Sequence, residues 1–197
     1  METPIRLGIL GSGKGSNFAA ILREVQAGNL DVKIAAVASD MPDAGILKLA
    51  AAAGLPQAVF PEPRFRTKLT PEVETALADY LKKAGANWLI LAGYMRVLKA
   101  PLLDAFPGRI INIHPSLLPK FRGLAAWKQA LEAGETETGC TVHFVDAGVD
   151  TGKIIAQARV PILPGDTPET VHARIQAEEH RLYPEIIARI VRGELNP

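Results

Sequence analysis

The 197-residue sequence has one cysteine, Cys140. No disulfide can therefore close within the chain, and no cysteine-based zinc site can form. A lone cysteine of this kind reads as a small buried apolar residue. Neither sign of charge is in excess: 22 basic residues face 21 acidic ones, for a net charge of +1. A general nucleic-acid binder carries a basic surplus, so this balance argues against that class while leaving room for one local basic pocket. Long hydrophobic runs are also missing. The first apolar run, Leu7–Leu10, is too short for a signal peptide, and Met1–Arg6 before it offers a glutamate and a proline. No run approaches a membrane span. These absences predict a soluble cytoplasmic protein with no nucleic-acid partner and no membrane segment.

What is present is enough apolar residue, 48% of the chain, to bury a sizeable core. The length favours one domain over 1–197, and there is no repeat, low-complexity tract or linker. Short apolar runs alternate with helical patterns. Ile5–Leu10, Val32–Ala38, Val59–Phe60, Trp88–Ala92 and Ile110–His114 read as strands. Phe18–Ala27, with Ser16 and Asn17 as capping residues, Ala44–Ala53, and Pro71–Ala84 read as helices. Nearly continuous apolar strands between helices imply a Rossmann-like α/β fold, a mostly parallel sheet covered on both faces. The pattern then changes. Thr138–Val145 and Lys153–Ile162 read as an antiparallel C-terminal strand pair. Thr167-Pro168 opens a long helix towards Arg192, with a kink expected at Pro184.

Three stretches carry chemistry. Gly11-Ser-Gly-Lys-Gly-Ser-Asn17 follows a strand and opens a helix, a context that points backbone N–H groups at an anion; an ordinary tight turn remains the plainer reading. A P-loop would need Ser or Thr where Gly15 stands, and a dinucleotide loop would need glycine where Ser16 stands. Asp40, at the end of the second strand, keeps a nicotinamide reading open. A phosphate monoester suits the loop better than either. Next, Asn112 and His114 lie two apart on a strand and so share a face, at the strand end where α/β sheets bind ligands. A structural pair bonded to local backbone is the alternative. Last, Asp146-Ala-Gly-Val-Asp150 is an acidic turn; a carboxylate from it placed beside His114 would raise and orient that imidazole. His143 reads as a core or sheet-face residue, and His172 and His180 as residues of the last helix.

Read in order, Gly13–Asn17, Leu91–Leu98, Ile111–Pro119, Val142–Val145 with Asp150–Gly152, and Glu178–Pro184 resemble the glycinamide ribonucleotide formyltransferases, folate-dependent enzymes of purine biosynthesis. The resemblance covers nearly the whole chain. It implies a formyltransferase fold with a phosphate-binding half at about 1–100 and a folate-binding, catalytic half at about 101–197. It implies catalysis by Asn112, His114 and Asp150. Gly15, Ser16 and Asn17 would cradle the substrate phosphate, and Glu179 would hold the ribonucleotide through its ribose. Met95, Arg96, Val97 and Leu98 would line the folate pocket with main-chain groups free for the pterin, joined by Asn112, Asp146 and Asp150. The co-substrate implied is 10-formyltetrahydrofolate, with no metal, in a monomer or homodimer.

The chain departs from that pattern in two places. Arg64, Arg66 and Lys68 compete for the role of one basic loop residue, and Leu124-Ala-Ala-Trp127 stands where some relatives carry a histidine. Other folate-dependent formyltransferases share the Asn-x-His and Asp pattern. Phe121-Arg-Gly123 resembles the methionyl-tRNA enzymes, which carry a further C-terminal domain, and the formyltetrahydrofolate hydrolases carry a further N-terminal one. A non-catalytic nucleotide or folate module would need the glycine loop but not the Asn112, His114 and Asp150 set.

Overall fold

A computed structural model describes residues 4–195; the first three and last two residues of the expected 1–197 span lie outside the described residues. The elements are β1 (Arg6–Leu10), α1 (Ser16–Gln26), β2 (Lys33–Ser39), α2 (Gly45–Ala52), β3 (Gln57–Val59), α3 (Pro71–Lys83), β4 (Trp88–Leu91), α4 (Ala100–Ala105), β5 (Ile110–His114), α5 (Ala126–Glu132), β6 (Glu137–Phe144), β7 (Ile154–Pro161) and α6 (Pro168–Val191). One sheet orders the strands β3-β2-β1-β4-β5-β6-β7. Strands β1 to β5 run parallel; β6 is antiparallel to β5, and β7 to β6. The expected α/β class and antiparallel C-terminal pair are both present.

Strand alternation divides the core into two layers. Ile111 and Ile113 of β5 pack with Phe18 of α1, Ile46 of α2 and Ile187 of α6 on one face of the sheet. Ile110 packs with Leu77 of α3 and Leu102 of α4 on the other. Asn112 and His114 share the face of Ile110, beyond the apolar layer and at the open end of the strand. Tyr183 on α6 is fully buried, and its hydroxyl reaches the carbonyls of Leu91 at 2.9 Å and Ile111 at 3.0 Å. That contact fixes the long helix against the carboxyl end of β4 and the first half of β5.

Several boundaries differ from the sequence reading. The cap of α1 is Gly15, left-handed with φ of 80°, and the helix starts at Ser16. Only glycine takes that conformation without strain, so Ser16 and Asn17 become the first turn instead of the cap. Strand β3 ends at Val59, where a strand was expected to begin. The short helices α4 and α5 carried no expectation; each spans under two turns, too little for an apolar period to show. Helix α6 runs unbroken through Pro184, held by its packing, and a capping box between Thr167 and Thr170 starts it.

Because β1 lies between β2 and β4, the connections leave it in opposite directions. The crevice outside the carboxyl ends of β1 and β4 is where such sheets bind ligands. The glycine loop, the segment 92–98 and the end of β5 all open onto this edge.

Candidate active site

Asn112, His114 and Asp150 converge. His114 is buried at the end of β5, with its Nε2 2.9 Å from the Phe121 carbonyl and its Nδ1 3.4 Å from Asp150 Oδ2. Acceptors thus face both ring nitrogens, an arrangement that suits the imidazolium. Burial nevertheless pushes the His114 pKa below the ordinary 6.5. The Phe121 carbonyl and the Asp150 charge pull it up, His143 pushes it down, and burial prevails. The Asp150 carboxylate thus raises the pKa as expected, and desolvation outweighs it. For Asp150, burial alone would raise the pKa, but His143, the Gly123 amide and His114 together hold it below 3.8. Its Oδ2 accepts from the Gly123 amide at 2.9 Å. Phe121, Ala125 and Asp150 all have positive φ, so the loops around the trio hold unusual backbone.

The sequence reading missed His143. Register across β5 and β6 sets it directly opposite Asn112. Its Nε2 lies 3.2 Å from the Asn112 amide nitrogen and 3.6 Å from Asp150 Oδ1, while its Nδ1 lies 2.7 Å from the Phe144 carbonyl. A His143 that donates from Nδ1 can accept one Asn112 N–H at Nε2 and leave the second for an incoming oxygen. Only knowledge of the antiparallel register could have revealed this partnership.

The glycine loop and α6 form the second part. No side chain caps α1, so its first-turn N–H groups are open to an anion. The Asn17 amide donates to Glu179 Oε2 at 3.0 Å, joining α1 to α6, and Asn17 Oδ1 is buried without a partner among the described residues. Burial raises the Glu179 pKa to about 7, against the lowering effect of Asn17.

The third part is the stretch Met95–Leu98, which bends at Arg96. The Met95 N–H donates to Ser12 Oγ at 2.9 Å and the Val97 N–H to the Thr67 carbonyl at 2.8 Å. Two of the amides expected to be free are therefore taken. Those of Arg96 and Leu98 meet no acceptor among the described residues. Asp40 is fully engaged: Oδ1 accepts from Ser12 and Oδ2 from Arg96. The acid on which a nicotinamide reading depended is spent inside the protein. Asp146 likewise serves its own turn, accepting from the Gly148 amide at 3.0 Å and the Thr151 hydroxyl at 2.6 Å. Among the described residues no group of three or more His, Cys, Asp or Glu is placed to hold a metal ion, and no helix is long and apolar enough to cross a membrane.

The sequence pattern of formyl transferases matches residues 5–187. The chain belongs to the formyl transferase family. It is 43% identical to a phosphoribosylglycinamide formyltransferase of Haemophilus influenzae over 96% of its own length and 89% of that protein. It is 48% identical to a trifunctional purine biosynthetic protein of Drosophila pseudoobscura pseudoobscura, of which it spans 14%. In structure it is similar to a glycinamide ribonucleotide transformylase of Symbiobacterium toebii, at a TM-score of 0.93 and 48% identity, covering 98% of this chain and 91% of that one.

Within the stretch Leu124–Trp127, Trp127 stacks on His172 of α6, with centroids 3.9 Å apart and planes 6° from parallel. Of the loop cations, Arg64 is committed to Glu62 at 2.8 Å. Lys68 lies over the Phe65 ring at 4.4 Å, and Arg66 has no ion-pair partner among the described residues. Cys140 is buried, its thiol pushed up to about 12 by desolvation, as its reading as an apolar residue requires.

Proposed function

We propose that this chain transfers the formyl group of 10-formyltetrahydrofolate to the amino group of 5-phosphoribosylglycinamide, giving the N-formyl ribonucleotide and tetrahydrofolate in purine (IMP) biosynthesis. The observation that carries this reading is the meeting of Asn112, His114 and Asp150 at the end of β5, on the sheet edge that also presents the glycine loop. A binding module would have no use for that buried polar set.

In this reading the phosphate rests on the α1 N-terminus at Gly15, Ser16 and Asn17, where open N–H groups and the helix dipole favour an anion. Glu179 accepts from ribose hydroxyls. Asn17 positions Glu179 and leaves its own buried Oδ1 for a ligand hydroxyl. The pterin takes the free Arg96 and Leu98 amides. Asp146 shapes the facing loop from within, and Met95 and Val97 hold the segment in place. Both halves thus serve both substrates within one domain: the glycine loop and Glu179 hold the ribonucleotide, and segment 95–98 with the end of β5 and the loop after β6 holds the folate.

The amine nitrogen attacks the formyl carbon, and the carbonyl π pair moves onto oxygen. The oxyanion needs donors aimed at it. The free Asn112 N–H supplies one. His114 supplies another by exchanging the Phe121 carbonyl for the oxyanion, whose charge raises the ring's affinity for a proton. Asp150 orients the ring and stabilises its cation. The ammonium proton passes through His114 to the departing folate nitrogen. The bond from carbon to that nitrogen breaks, and the carbonyl reforms as the new amide.

The test is release of tetrahydrofolate in the presence and absence of the ribonucleotide, with initiator tRNA as a competing acceptor. Ribonucleotide-dependent release is expected. Release with water alone would mean a hydrolase, and release only with tRNA would mean the methionyl-tRNA activity.

A further inference from the structure

The glycine loop carries a residue that touches neither the open turn of α1 nor the catalytic cluster. Ser12 sits at the switch point itself, between the ends of β1 and β4. Its N–H donates to the Gly93 carbonyl at 2.9 Å, its hydroxyl donates to Asp40 Oδ1 at 2.5 Å, and the same oxygen accepts from the Met95 N–H at 2.9 Å. On the other side of Asp40, Oδ2 accepts from Arg96 Nε at 2.6 Å, and both side chains of that pair are almost out of water. The Arg96 guanidinium also reaches the carbonyls of Phe65, Lys68 and Glu62. Ser12 and Asp40 therefore hold the segment 95–98 at two adjacent points, once through the main chain and once through a side chain.

This arrangement bears on the amides left free. The chain bends at Arg96, and the Met95 and Val97 N–H groups are both taken, by Ser12 Oγ and the Thr67 carbonyl. Among the described residues this leaves the Arg96 and Leu98 amides as the unpaired pair of the four. A buried charge pair is a poor source of net stability, since desolvation offsets its Coulomb attraction. Its value lies in geometry: Arg96 can satisfy its donors in one place only.

We infer that Ser12 and Asp40 are positioning residues for the folate, holding Met95–Leu98 so that the Arg96 and Leu98 amides face the pterin. One loop then serves both substrates with different residues, Ser12 towards the folate and Gly15, Ser16 and Asn17 towards the phosphate. The inference rests on the reading of 95–98 as the folate wall.

Calorimetry of the whole protein with tetrahydrofolate and with the ribonucleotide, each alone, tests it, together with kcat and both KM values. In Ser12→Ala the folate Kd and KM should rise about tenfold, the effect of about one lost hydrogen bond on a positioned segment. The ribonucleotide Kd and kcat at saturation should stay close to wild type, and Tm should fall by a few degrees because Asp40 Oδ1 loses a donor. Ser12→Thr, which keeps the hydroxyl, should bind folate more tightly than Ser12→Ala. Unchanged folate affinity in Ser12→Ala overturns the inference. So does a parallel loss of both ligands, which marks a merely structural residue. If the wild type binds the ribonucleotide but not tetrahydrofolate, the folate reading itself fails, and the inference falls with it.

Discussion

At the scale of single residues, burial decides how the ionisable groups of this site behave. Glu179 is 4% exposed and has one protein hydrogen bond, from Asn17. Its pKa of about 7 lies above the ordinary 4.5 because water no longer stabilises the charge. The folded chain therefore binds the extra proton between those values, and stability falls as pH rises through that window. Glu179→Gln removes the titration, so the variant should gain on wild type between about pH 4.5 and about pH 7, by up to about 3 kcal/mol. Denaturant melts across that range check the sign. Ribose hydroxyls donate better to the carboxylate than to the acid. Wild-type affinity for the ribonucleotide should thus improve between about pH 6 and about pH 8 relative to Glu179→Gln, which also controls for titration of the ligand.

His114 shows the same balance with the shift in the opposite direction. Its partners suit a cation, yet burial keeps the pKa below 6.5. Asp150→Asn keeps the shape but removes one upward pull, so NMR titration should find the ring's pKa lower still. Turnover should drop about a hundredfold or more, the usual scale for losing an element of acid–base or oxyanion catalysis, with both substrates still bound. An unchanged His114 pKa would mean that Asp150 acts by another route.

At the scale of elements, the glycine loop is constrained from two sides. A Cβ on Gly15 would lie 2.8 Å from Ile46 Cα, and φ there is positive. Bulk at Gly15 therefore pushes α2 away before it meets any phosphate. Gly15→Ala should lose about 1–3 kcal/mol of stability, seen in a denaturant melt, and cannot isolate the phosphate contact. Asn17→Ala is the cleaner probe. It should weaken ribonucleotide binding about tenfold or more and leave folate binding near wild type, as calorimetry would show. At the far end of α6, Thr167→Ala removes the capping box and should cost about 1 kcal/mol with kcat and KM unchanged.

Across the whole molecule, the features legible in the sequence are those set by local rules. Apolar runs of strand length located β1, β2, β4 and β5, and the two-residue spacing put Asn112 and His114 on one face. What could not be read depends on distant chain segments meeting. His143 joins the site only through β5–β6 register, and Asp40 meets Arg96 across 56 residues of sequence. The upward pull of Asp150 on His114 was legible as a motif, whereas the desolvation that outweighs it is a property of the finished core. The left-handed cap at Gly15 likewise follows from how α2 closes on the loop.

Direct exchange of a formyl group between two substrates that meet on one sheet edge requires the formyl carbon itself to change partners. The most direct measurement uses folate carrying an isotopically labelled formyl carbon, with the ribonucleotide present, and follows the label by NMR. The label should appear in the amide of the ribonucleotide, in step with tetrahydrofolate release, and Asp150→Asn should slow both together. Label released as free formate, or retained on the folate while the ribonucleotide stays bound, would contradict the account.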